Sequence, residues 1–183
     1  MCIRDSYYSV INQYGSKKAA QESIELARTL AGKIHPDSIP WPEIFDYDLF
    51  IGYQNSLKLI HGNIALQHVL PAWSIFFESV GNYKAWYLPV ETDKSGSFDL
   101  ALISFKNPSD RKLFIKNSSL ELQKIGNLNP GNARLGWKIG ELDLLFIDAS
   151  KFKDSLSPYA SAFNQYITKQ AGKIKQDRKS NQL

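Results

Sequence analysis

The stretch GELDLLFID, residues 140–148, carries Glu141 and Asp143 two positions apart and Asp148 at its end. On one extended strand, side chains at i and i+2 leave the same face. Glu141 and Asp143 would then offer paired oxygen ligands of the kind that Mg²⁺ or Mn²⁺ takes. Asp99, inside the apolar run FDLALISF of residues 98–105, can join them from an adjacent central strand. That set is the chemistry of a divalent-metal-dependent hydrolase or nuclease. The plainer reading leaves Glu141 and Asp143 at the solvent end of a strand whose Leu145 and Ile147 enter the core, and it is preferred.

The tetrapeptide Gly140-Glu141-Leu142-Asp143 followed by apolar residues resembles the second acidic motif of the restriction-endonuclease-like nucleases. That resemblance implies an E-x-K on the next strand. Here the chain continues as DASKFKDSLSPYA, residues 148–160, and Lys151 and Asp154 do not make that motif. His61 and His68 are seven apart and would stack on one helix face, where Asp46 or Glu78 can complete a metal site. Two polar residues at a helix junction is the simpler account. There is no G-x-S-x-G elbow, no G-x-x-x-x-G-K-[ST] loop and no G-x-G-x-x-G fingerprint. The glycines of GNLNPGNARLG, residues 126–136, read as a turn-rich connector.

Aromatic and basic residues supply the other chemistry. Trp73 and Trp137 fit core stripes, while Trp86, with Tyr83, Lys84 and Tyr87 around it, suits an exposed sheet face for a partner. The net charge is +4 and the sequence pI about 9.0. The whole imbalance lies near the end, where Lys169, Lys173, Lys175, Arg178 and Lys179 face Asp177 alone. At the end of a helix, such charge complements the macrodipole. It can also make weak, salt-sensitive contact with nucleic acid or an anionic surface.

Composition narrows the field. With 183 residues, 43% hydrophobic and 13% aromatic, the chain can bury a proper core. Cys2 is the single cysteine, which excludes an internal disulfide, a CxxC pair and a Cys-ligated zinc. No apolar run reaches the ~20 residues of a membrane span. Residues 1–6, MCIRDS, hold the only methionine and the only cysteine. They resemble a short leader that recurs at the head of translated metagenomic fragments, and they are set apart from fold reasoning. The expectation is a non-native leader, a true N-terminus lost with any signal or anchor it held, and a compartment left open with cytoplasmic slightly favoured.

These side chains need elements to position them. Residues 16–34 read as a helix ended by Gly32 and His35-Pro36. Leu49, Phe50, Tyr53, Leu57 and Ile60 predict a second helix, stopped at His61-Gly62-Asn63. Residues 66–80 predict a third, kinked at Pro71, with a strand over residues 74–80 as its rival. The period then becomes two. Residues 83–91 and 98–105 are strands, the latter apolar on both faces and so central. NPSD breaks the chain, KLFIK and SLELQKI are short strand candidates, and residues 137–148 are the strongest strand. Ser157 and Pro158 open a terminal helix.

The expected architecture is α+β: N-terminal helices, a mostly antiparallel sheet of four or five strands, and a C-terminal helix, with helices on one sheet face. Residues 7–168 form one domain and residues 169–183 a basic polar tail. The expected function is a non-catalytic binding, accessory or assembly domain with a protein partner and no cofactor. Its contact surface is the aromatic region of residues 73–90. Metal-dependent hydrolysis is the alternative.

Overall fold

A computed structural model describes residues 41–92, 96–124 and 133–180, with side chains as far as residue 173. The chain divides at Pro40–Trp41 into two compact units, and all described residues belong to the second. The expected leader, the helix over residues 16–34, and His35 lie outside them, as do residues 93–95 and 125–132.

Among the described residues, six strands form one sheet in the order β1-β2-β3-β6-β5-β4. They are β1 (Lys58–His61), β2 (Tyr83–Thr92), β3 (Gly96–Phe105), β4 (Glu121–Leu122), β5 (Arg134–Ile139) and β6 (Asp143–Asp148). All neighbours run antiparallel except β4, which lies parallel to β5. Among the described residues, four helices pack around the sheet: α1 (Asp48–Ile51), α2 (Gly62–Val69), α3 (Pro108–Ser118) and α4 (Ser157–Ser180). The α+β class is as expected, with one strand more than the upper count.

Both faces of the sheet are covered, not one. Alternation along β3 sends Phe98 and Leu100 to one side and Ala101, Ile103 and Phe105 to the other. The first side packs on Phe45, Phe50 and the inner face of α4, through Phe163, Tyr166 and Ile167. The second packs on Leu66 of α2, on Trp73, Phe76 and Phe77, and on Phe114 of α3. A strand apolar on both faces demands two covering layers, and β3 receives them.

Local chemistry explains where the elements depart from expectation. The second helix shrinks to α1; Leu57 is buried just before edge strand β1, and Ile60 lies within it. The His61-Gly62-Asn63 step starts a helix rather than stopping one: His61 is its N-cap, and Gly62 takes φ 75°. The kinked helix breaks outright before Pro71, which lacks the N–H a continuing helix needs. Residues 74–79 are turns, neither helix nor strand.

NPSD begins α3, so KLFIK is helical and not a strand. Asn107 Oδ1 accepts the Asp110 N–H at 2.8 Å, its Nδ2 donates to Asp110 Oδ2 at 2.9 Å, and Pro108 takes the first turn. Within SLELQKI, Glu121–Leu122 form the short strand β4, and the Gln123 N–H donates to the Gly136 carbonyl at 2.8 Å. The long strand divides into β5 and β6 at Gly140, whose φ of 75° suits glycine. The basic tail expected from Lys169 continues α4 without a break to Ser180.

Candidate functional site

The first set of candidates does not converge. Glu141 lies in the β5–β6 turn and not on a strand, so it shares no face with Asp143. Asp143 pairs with Ser104 across β3, whereas Asp99 pairs with Asp148 at the opposite end of that ladder. His61 ends β1 and His68 lies in α2, both exposed. Among the described residues, no group of three or more His, Cys, Asp or Glu can hold a metal ion.

What the sheet does bring together is a polar row. Asp99, Asp148 and Arg134 occupy facing positions on β3, β6 and β5. Arg134 Nε donates to Asp148 Oδ2 at 3.4 Å, and the Ser150 N–H donates to Asp148 Oδ1 at 3.0 Å. Arg134 Nη1 donates to the Ser118 carbonyl at 3.1 Å. The guanidinium carbon stands 4.6 Å from the centre of the Phe76 ring, a cation–π distance. Tyr87 Oη donates to Asp99 Oδ1 at 2.8 Å. Burial holds the Asp99 carboxyl above its usual range, and the neighbouring Asp148 charge adds to this against the Tyr87 hydrogen bond and Lys151. Burial likewise raises the Tyr87 hydroxyl.

This row carries a pH signature. Asp99 binds its proton more tightly folded than unfolded, so its contribution is fullest in acid. That contribution is lost as pH rises from the unfolded carboxylate range through the raised folded value. In Asp99→Asn the amide oxygen still accepts from Tyr87 without a charge to desolvate. The variant should therefore gain stability relative to the parent as pH rises from the unfolded carboxylate range at about pH 4 through the raised folded value, read from urea midpoints over that rise. A constant difference would mean that Asp99 titrates as it does in the unfolded chain.

The aromatic candidates fall mostly inside. Tyr83 and Tyr87 are buried at 2% and 6% exposure. Tyr83 stacks on Phe77 with ring centres 4.0 Å apart, and Tyr87 meets Trp73 edge-on at 5.6 Å. Trp86 is half-buried against the opposite core. Of the basic candidates, Lys169 donates to Glu43 Oε1, and Lys173 Nζ lies 3.7 Å from Glu43 Oε2. The Lys169 contact holds the Glu43 carboxyl below the usual carboxylate range. These two lysines tie α4 to the turn at Glu43–Asp46. The side chains of Lys175, Arg178 and Lys179 lie outside the described residues.

A concave feature arises where the expected third helix breaks. Between α2 and the turns of residues 74–79 lies a cavity of about 260 Å³. Leu66, Ile75 and Phe77 make its apolar lining, and Asn63, Gln67, Ser74, Glu78 and Ser79 its polar lining. The turns are pinned from α3, since Asn117 Nδ2 donates to the Glu78 carbonyl at 2.9 Å. Asn63 Oδ1 accepts from Tyr83 Oη at 3.0 Å. Ser79 holds φ at 59°, a left-handed conformation rare for a residue with a Cβ. Ser74 Oγ is buried with no hydrogen-bond partner among the described residues, and Ile75 is 64% exposed at the rim.

Sequence reasoning missed this cavity because it read residues 66–80 as one helix. Pro71 followed by Gly81-Asn82 was the available signal for a turn-built segment. Comparison with protein-family models, curated proteins and solved structures finds no match for this chain. No helix among the described residues is long and apolar enough to cross a membrane.

Proposed function

We propose that this chain is a non-catalytic binding domain that receives an anchor group of a protein partner in the cavity beside α2. The observation that carries the reading is the cavity itself, with an apolar side of Leu66, Ile75 and Phe77 and walls held by Tyr83 and Asn117. Its size bears on the ligand. About 260 Å³ falls below the roughly 300–1,000 Å³ of cofactor and drug-sized sites. It exceeds the ~150 Å³ cavity that takes a benzene. One side chain fits, in the manner of an interface hot spot.

The alternative is hydrolysis through Glu141 and Asp143 with Mg²⁺ or Mn²⁺. Its weakness is the placement of Glu141 in a turn and of Asp99 at the far end of the ladder. One experiment separates the two. Amide spectra of the full chain titrated with phenol and isobutanol should show saturable shifts at Leu66, Ser74, Ile75 and Glu78. Thermal unfolding in millimolar Mg²⁺ or Mn²⁺ should leave the Tm unchanged. Absence of saturable shifts at those residues would overturn the cavity reading. A metal-dependent rise in Tm, lost in the Glu141→Ala/Asp143→Ala variant, would favour hydrolysis, because a ligand bound only by the native state raises Tm by mass action.

A further inference from the structure

We draw no further inference here: the strongest candidate, the surface patch on the α4 side of the sheet where half-buried Leu59, Trp86 and Leu102 adjoin exposed His61, Lys84 and Ser104, mixes the Lys84 charge with that of Asp143 along one row, and nothing in the structure shows what covers it.

Discussion

Replacing Phe114 with alanine should lower the unfolding free energy by about 3–5 kcal/mol, the cost of deleting a fully buried phenylalanine and leaving its cavity. Phe114 has no exposed surface. Its ring meets Phe77 at 4.7 Å, Phe146 at 5.3 Å, Phe105 at 5.6 Å and Phe76 at 6.4 Å between centroids. Those partners come from two strands and from the turns after Pro71, so one ring ties α3, the sheet and the cavity-bearing segment together. A wheel of aromatics fixed by edge and tilt contacts cannot collapse readily into the space left behind, which places the cost toward the upper end of the range. Urea unfolding followed by tryptophan fluorescence would show a lower midpoint with little change in slope. The Tm should drop by roughly 10 °C. A loss under about 1 kcal/mol would mean that the site relaxes or that α3 does not cover this face. The amide shifts of Ser74 and Glu78 should also move in this variant, because Phe76 and Phe77 lose their support.

Gly96→Ala should be nearly as damaging, by about 2–4 kcal/mol, for a different reason. Gly96 opens β3 with φ at 86°, and a Cβ there would lie 2.5 Å from the Lys151 carbonyl oxygen. Backbone strain and backbone collision coincide. The neighbour is main chain, held by the bridge between Gly96 and Phe152, so no side-chain rotation relieves it. The exposed Gly172 of α4 has nothing within 4 Å of its Cβ position. Gly172→Ala should stabilise by about 0.5–1 kcal/mol through helix propensity alone. The pair of variants, measured by thermal and urea unfolding, distinguishes a glycine required by its contacts from one that is merely tolerated. If Gly96→Ala unfolds like the parent, the close approach of the residue 149–152 segment to β3 is wrong.

Asp99 and Gly140 show how far residue order can be read. The run FDLALISF has no polar face, and from this alone Asp99 belongs to a central strand. That Asp99 then faces Asp148 and accepts from Tyr87 depends on the register between three strands, which local sequence does not encode. Gly140 was visible inside WKIGELDLLFID, and its freedom at positive φ was the clue that one strand was two. Asn107-Pro108-Ser109-Asp110 held a complete helix start, with cap, first-turn proline and reciprocal acid. It was read as a break because asparagine and proline serve turns equally well.

Tyr83 and Tyr87 mark the limit on the functional side. An amphipathic ring on a strand suits an outer face or a core equally, and the choice depends on what lies above it. Here the segment broken at Pro71 folds back over β2 and brings Trp73 and Phe77 against them. The same fold-back creates the cavity.

The amino-acid order by itself determined the α+β class, the two long strands β2 and β3, the start of α4 at Ser157-Pro158, and the exclusion of a disulfide or CxxC pair within these 183 residues. Each follows from short-range periodicity, capping or composition. Only the tertiary structure decided that both sheet faces are covered, that Glu141 and Asp143 part company, that Lys169 and Lys173 are drawn to Glu43, and that Ser74 lines a cavity. These depend on contacts between residues far apart in the chain, and burial of one residue does not reveal which distant segment buries it.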